Sequence, residues 1–316
     1  MREISLNSKR RVLLIGGSGF LGRHLCLRLL AENITPVVFD KAPPPVEDVE
    51  YYCGEMSTTN TLDASLLEGI EAVYHLAWTS KPQTANNDPA SDLEENVVPG
   101  LHLLDSIVQL RHRPRLIFIS TGGAVYGAMN SFPIKEDDLA EPMNAYGIGK
   151  LTFEHYIRLY NHLHGLDYLV FRPGNPYGKF QNPEGSQGAV AVFMGKLIEG
   201  KPVNIWGDGE IVRDYLYIDD LISAFISGLS YQPTIGQQRR VFNVGSGIGM
   251  SLNQLLTQIE SVSGKRFEVL YTSSHKADVP KVVLNIESIK RCMGWEPEIT
   301  IEQGLKKTWE WMLASR

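Results

Sequence analysis

The sequence predicts an α/β protein: a Rossmann-type, doubly wound parallel sheet with a smaller α/β substrate-binding domain. Three observations carry this. Short apolar runs alternate with helical patterns as far as Phe171, the rhythm of a parallel sheet with right-handed crossovers. Glycines crowd the end of the first run, at Gly16, Gly17, Gly19 and Gly22. The second run, Pro36-Val37-Val38-Phe39, ends in Asp40. Strand, glycine turn and helix in that order make a diphosphate cradle. Glycines let backbone amides approach the ligand, and the helix N-terminus adds free N–H groups and a positive dipole end. The glycines fit two registers, Gly17/Gly19/Gly22 and Gly16/Gly19/Gly22. An acid closing the second strand accepts hydrogen bonds from an adenine ribose. The plainer reading is a glycine-rich hairpin, which the helical Leu21, Leu25, Leu29 spacing and Asp40 oppose.

A chain of 316 residues suits two domains. The expected division is a dinucleotide-binding domain over 1–172, rejoined by parts of 214–245, and a mainly substrate-binding domain over 173–316. The residues are 43% apolar and 21% charged, a composition able to bury a large core. A net charge of −6 gives no global basic field for nucleic acid or membrane. No apolar run approaches the roughly 20 residues that span a bilayer. The basic start resembles a signal peptide, but glycines, Arg23 and His24 interrupt its apolar run and no cleavage site follows. Cys26, Cys53 and Cys292 are scattered, as in a cytoplasmic protein with ordinary thiols.

Taken in order, Val49 to Cys53 reads as a strand, 62–70 as a helix, Ala72 to Ala77 as a buried strand and 79–91 as a loop. A helix follows over 93–110, then the strand Arg115 to Ile119, which runs into Ser120-Thr121-Gly122-Gly123-Ala124-Val125-Tyr126-Gly127. The next helix starts near Asn144 and stops at Gly165. Tyr146, Lys150, Phe153, Ile157 and Tyr160 share one face of it, so an inward lysine lies one turn from an inward tyrosine. A cofactor ribose and a phenol to activate would explain that pair; a structural tyrosine with a snorkelling lysine is the alternative. His155, His162 and His164 read as a solvated helix end, and no metal is expected. Further strands are Asp167 to Phe171 and Val241 to Val244. Arg213 to Asp220 reads as a strand entering a helix capped by Asp219 or Asp220.

These residues resemble the extended short-chain dehydrogenase/reductase superfamily, close to the UDP-galactose 4-epimerase-like nucleotide-sugar enzymes. The resemblance covers nearly the whole chain. It rests on Gly16/Gly19/Gly22, His75-Leu76-Ala77, Val125-Tyr126-Gly127, Tyr146/Lys150, Arg172/Asn175, Arg213-Asp214-Tyr215 and Gly294-Trp295-Glu296-Pro297. It implies NAD held by Gly16, Gly19, Phe20, Leu21, Gly22, Asp40 and Lys41, with Glu55 and Met56 flanking the adenine. Leu76, Ala77 and Trp78 would line the nicotinamide side, with Asn96, Ser120, Tyr146, Lys150 and Pro173. It places Asn175, Ala189, Val190, Asn204, Trp206, Arg213, His275, Asp278 and Val282 around a nucleotide sugar. The guanidinium of Arg213 suits phosphate oxygens; a surface salt bridge is its alternative. Val282 would border the sugar's C2 side and leave room for an acetamido group, or else be a plain core residue.

The chain departs from the family at three places. The usual Ser or Thr, four residues before the tyrosine of Val-Tyr-Gly, is Gly122, so Thr121 is expected to supply that hydroxyl. On this expectation Gly122→Ser recovers part of the activity lost in a Thr121→Val enzyme, unless Gly122 needs positive φ. The usual Arg before the late Asp-Val-Pro is His275. Gly123-Ala124 replace the Asp-Glu of the 4,6-dehydratases, which removes the proton donor that dehydration needs.

The resemblance implies a cytoplasmic, homodimeric NAD-dependent 4-epimerase of UDP-hexoses or UDP-N-acetylhexosamines, serving polysaccharide biosynthesis. Tyr146 would act as base, Lys150 would lower its pKa and Thr121 would assist. The alternatives are a nucleotide-4-keto-6-deoxysugar 4-reductase and a non-catalytic dinucleotide-binding regulator. Asp40 favours NAD over NADP by repelling a 2′-phosphate, while the neighbouring Lys41 would partly offset that repulsion.

Overall fold

The computed structural model describes residues 10–44, 46–58, 62–82, 84–185, 187–234, 238–273 and 279–315. The chain opens with β1 (Arg11–Ile15), α1 (Phe20–Ala31), β2 (Thr35–Asp40), β3 (Glu50–Cys53) and β4 (Ala72–His75). Helix α2 (Pro89–Asp92) passes through a π turn at Leu93–Val97 into α3 (Val98–Gln109). Then come β5 (Arg115–Ile119), α4 (Ala145–His164), β6 (Tyr168–Pro173), β7 (Asn175–Tyr177), α5 (Ala189–Glu199), β8 (Val203–Trp206) and β9 (Val212–Tyr217). The rest is α6 (Ile218–Ser230), β10 (Val241–Val244), β11 (Gly249–Ser251), α7 (Leu252–Ser263), β12 (Val269–Thr272), α8 (Glu287–Met293) and α9 (Ile301–Ala314).

Seven strands form one sheet in the order β10-β6-β5-β4-β1-β2-β3, beside two small sheets, β11-β9-β7 and β12-β8. β1 pairs in parallel with both β2 and β4, so the order reverses beside it. A reversal of this kind opens a ligand crevice at the strands' carboxyl ends, where Gly16, Asp40 and Ala77 lie. Val12 to Ile15, Val37, Val38 and Leu116 to Phe118 are almost fully buried. A strand covered on both faces shows a continuous apolar run instead of alternation, which is why these were legible.

The chain divides into two compact units. The first runs to Ile119 and takes in Gly149–Val170; the second holds Ser120–Ile148 and everything from Phe171. Residues 120–148 precede residue 172 in the chain yet fall in the second unit. The segment groups with the second because its backbone is bonded there. Gly122 N–H donates to Pro173 O (2.7 Å), Ile134 N–H to Val283 O (2.8 Å), and Asn285 N–H to Ile134 O (2.7 Å).

Two local expectations are corrected. Over 62–70 there is only a 3₁₀ turn, Ala64–Leu67, begun by Asp63 accepting from Ser65 N–H and followed by Gly69 at φ +69°. Neither Asp219 nor Asp220 caps α6; the N-cap position is Tyr217, with no side-chain bond. The Asp220 carboxylate instead accepts from Glu298 N–H (3.2 Å) and Ile299 N–H (3.0 Å).

Candidate functional site

In the first unit the glycines divide into different jobs. Gly16 has φ +81°, and a Cβ on it would lie 2.7 Å from Ala77 N. A Cβ on Gly22 would strike Gly17 O, and one on Gly17 would press Leu14 and Val38 at 3.0 Å. Gly19 alone has open space, with Gly16 O the nearest atom at 3.7 Å. It is the N-cap of α1, which has no side-chain cap and no acid in its first turn, where Phe20 and Leu21 sit. The mouth of that helix is therefore clear and electropositive, and these residues fit a diphosphate. Asp40 is set by two backbone donors: Ser18 N–H reaches Oδ2 at 3.0 Å and Ala42 N–H reaches Oδ1 at 2.9 Å. Lys41 Nζ pairs with Glu55 Oε1 at 3.0 Å on the surface, so Glu55 draws that cation. Met56 is half-buried.

Leu76 and Ala77 both donate their N–H groups to Ile15 O at 2.9 Å, which brings the end of β4 against Gly16. Asn96 is 4% exposed; its Oδ1 accepts from Thr79 N–H (2.7 Å) and its Nδ2 donates to Asp92 O (2.9 Å). It thereby fixes the segment that follows β4. Lys150 is buried on α4, its Nζ donating to Ile119 O at 2.8 Å and lying 4.1 Å above the Trp78 ring. Burial lowers its pKa to about 7 against the raising influence of Glu154 and Asp92. Tyr146 is half-buried, one turn earlier on the same helix.

In the second unit the loop after β5 carries the hydroxyls. Ser120 is buried and donates its N–H to Phe171 O at 2.8 Å. Thr121 Oγ1 accepts from Gly123 N–H at 3.2 Å. The Cβ position of Gly123 has Thr121 Oγ1 at 3.7 Å and Asn175 Oδ1 at 3.8 Å, so hydroxyl and amide face one spot. Gly122 is not among the glycines with positive φ. A Cβ on it would lie 2.6 Å from Leu284 Cδ1 and 3.0 Å from Arg172 O. Leu284 Cδ1 stands where the family's side chain would begin, so a Gly122→Ser substitution in the Thr121→Val enzyme must displace that leucine.

Pro173 is buried and accepts from Gly122 N–H. Arg213 is half-buried, its Nη1 donating to Val279 O (2.7 Å) and Val212 O (2.9 Å). Ala189 and Val190 begin α5 behind Gly188 at φ +89°; Val190 is 1% exposed. Asn204 and Trp206 are exposed on β8. His275 and Asp278 lie outside the described residues. Val282 is 1% exposed and its N–H donates to Val212 O at 3.0 Å. So little exposed surface suits the core reading of Val282 over a place at the sugar's C2 side.

The structure adds buried polar clusters to the motifs legible in the sequence. Tyr126 OH donates to Asn243 Oδ1 (2.7 Å) and accepts from Arg172 Nη1 (2.9 Å). Asn243 N–H and Ser288 Oγ each donate to the Glu136 carboxylate at 3.0 Å. Asp214, fully buried, accepts from Ser246 N–H, Ser246 Oγ, Gly247 N–H and Leu284 N–H. The Tyr of Val-Tyr-Gly and the Asp beside Arg213 were their available signals.

The sequence model of the NAD dependent epimerase/dehydratase family matches residues 12–245. The UDP-glucose 4-epimerase of Mycolicibacterium smegmatis is 31% identical over 95% of this chain and 97% of its own. The dTDP-4-dehydro-6-deoxyglucose reductase of Escherichia coli is 30% identical over 95% and 96%. The crystal structure of the Thermotoga maritima UDP-glucose 4-epimerase with UDP-glucose is 33% identical, with a TM-score of 0.88 over 96% of this chain and 99% of that one.

Proposed function

Because the chain belongs to the NAD dependent epimerase/dehydratase family, we propose that it is an NAD-dependent 4-epimerase of UDP-hexoses or UDP-N-acetylhexosamines. The observation that carries this is helix α4, which presents Tyr146 one turn before a buried Lys150 in a chain whose Gly16–Gly22 turn is cleared for a diphosphate. NAD supplies a reversible hydride acceptor for the sugar's C4. Gly19 and the first turn of α1 hold its diphosphate, and Asp40 holds the adenine ribose. Tyr146 accepts the 4-hydroxyl proton, and the Lys150 ammonium lowers the phenol's pKa from its ordinary value of about 10 toward working pH. Thr121 Oγ1 and the Asn175 amide orient the reacting hydroxyl, and Arg213 binds phosphate oxygens.

The test is to incubate the purified protein with UDP-galactose and with UDP-N-acetylgalactosamine and to resolve the C4 epimers by chromatography. Interconversion without net use of added nicotinamide supports the epimerase. Stoichiometric NAD(P)H oxidation by a nucleotide-linked 4-keto-6-deoxy sugar supports the reductase reading, which the Escherichia coli relative favours.

A homodimer is part of the same reading. Helix α4 exposes Ile148, Tyr156, Leu159 and Leu163, an apolar stripe at helical spacing that a second copy would cover. Sedimentation of the wild type against Leu159→Asp/Leu163→Asp tests it. No described helix is long and apolar enough to cross a membrane. Cys26, Cys53 and Cys292 form no disulfide among the described residues, which suits a reducing cytoplasm, where the sugar products would feed polysaccharide assembly.

A further inference from the structure

Asp92 closes α2 and is 4% exposed. Its Oδ1 accepts from Asn96 Nδ2 at 3.3 Å; its Oδ2 is buried and has no hydrogen-bond partner among the described residues. A carboxylate taken out of water needs something to compensate it. What faces it is α4. Oδ2 lies 3.0 Å from the position a Cβ on Gly149 would take, and Trp78 Cζ2 lies 3.2 Å from the same point. The face of that indole carries Lys150 Nζ. The missing side chain of Gly149 thus lets a buried carboxylate lie against the helical turn that presents the lysine.

We propose that Asp92 is a positioning residue, the buried counter-charge that keeps the Lys150 ammonium protonated and through it sets the acidity of Tyr146. The second half of that statement rests on the epimerase reading. Among the described residues, Glu154 on its own helix, Asp92 on α2 and His75 on β4 act on Lys150 electrostatically. Burial holds His75 neutral, with a pKa near 3, so it brings no positive charge. Burial pulls the amine toward its neutral form, and the two carboxylates oppose that pull. Removing the Asp92 charge should move the balance toward the neutral amine.

Asp92→Asn keeps the shape and the Asn96 contact and removes the charge. The readout is NMR of the lysine ε-nitrogens in 15N-labelled, NAD-loaded protein, with Lys150 assigned by its disappearance in Lys150→Arg. The Lys150 midpoint should fall by about one unit or more, the size expected when an opposite charge close by is lost. The alkaline limb of the kcat–pH profile should move down with it, and Asp92→Glu should recover most of the shift. An unchanged midpoint in Asp92→Asn overturns the proposal, whatever happens to turnover. If that variant does not fold, Asp92→Ser takes its place with the same reading: a lowered Lys150 midpoint supports the proposal and an unchanged one overturns it. The titration reads the lysine without turnover. An inactive wild type with a normal Lys150 shift would therefore count against the epimerase alone.

Discussion

Replacing Gly122 by Ser sets the family's usual hydroxyl against a leucine. The new Cβ would lie 2.6 Å from Leu284 Cδ1 and 3.0 Å from Arg172 O, where relaxed carbon contacts lie at ~3.5–4.0 Å. Leu284 is fully buried, and its N–H donates to Asp214 Oδ2 at 3.1 Å, so it has no easy retreat. Overpacking of this kind costs about 1–3 kcal/mol. At about 2–4 °C per kcal/mol, the Tm should fall by roughly 2–12 °C, and turnover should drop with it. Leu284→Ala removes three carbons, about 2.4 kcal/mol of transfer energy at ~0.8 each, and the cavity it leaves adds to that. In the double variant the serine fills part of the cavity. The pair should be less destabilised than the sum of the singles by about 1 kcal/mol or more. Only in that background should Gly122→Ser return activity to Thr121→Val. Denaturant unfolding of the four proteins closes the cycle, with turnover measured alongside. Singles that add within about 0.5 kcal/mol, or a Gly122→Ser enzyme as stable and active as the wild type, would refute the steric account.

Tyr146→Phe removes the proposed base but keeps the ring, so turnover should fall roughly 10²–10⁴-fold while cofactor is retained; near-normal turnover would take Tyr146 out of the mechanism. Asp40 should make NAD bind more tightly than NADP in calorimetry, and Asp40→Ser should narrow the difference; equal affinity in the wild type would contradict the ribose role. Val282→Tyr should overfill a packed site and lower Tm by several degrees. Activities on plain and acetylated sugars should then fall together, whereas selective loss of the acetylated one would support the pocket reading. His75 is buried, with ring contacts to Phe118 (5.6 Å) and Phe153 (5.5 Å), and its pKa is depressed to about 3. Between that value and an unfolded pKa of about 6.5 the unfolded chain binds the extra proton, so stability rises with pH there and is lost on acidification. His75→Leu should flatten the fall in Tm between pH 6 and 4, and an unchanged slope would assign acid sensitivity to other groups.

The first half of the fold was legible because its determinants are local. A strand buried on both faces shows as an apolar run, and the turn of Gly16 shows as a glycine since its φ and its contact with Ala77 admit little else. The 62–70 segment misled because Leu62 and Leu67 are buried as a helix would bury them, yet Gly69 stops the turn after Leu67. Asp220 has the sequence setting of a helix cap, yet its carboxylate bonds 298–299, far along the chain. At the candidate site, residue types could be read but not their neighbours. Thr121 and Gly122 are visible in sequence; the leucine that fills the place of the missing side chain is not. Asp92 left no signal at all, since an acid before a helical run is an ordinary surface residue until its burial is known.

The pinning of the 120–148 segment also bears on the order in which the protein can fold. Glu136 receives the hydroxyl of Ser288 across 152 residues of sequence, and Ile134 pairs with Leu284 in the same stretch. Contacts that far apart close large loops and tend to form late. During synthesis the first unit's early strands can pair while the segment bearing Thr121 still lacks its anchors. That segment reaches its final form only after residues 283–288 leave the ribosome. Those residues supply none of the proposed chemical groups, yet the segment that bears Thr121 depends on them for its anchoring bonds.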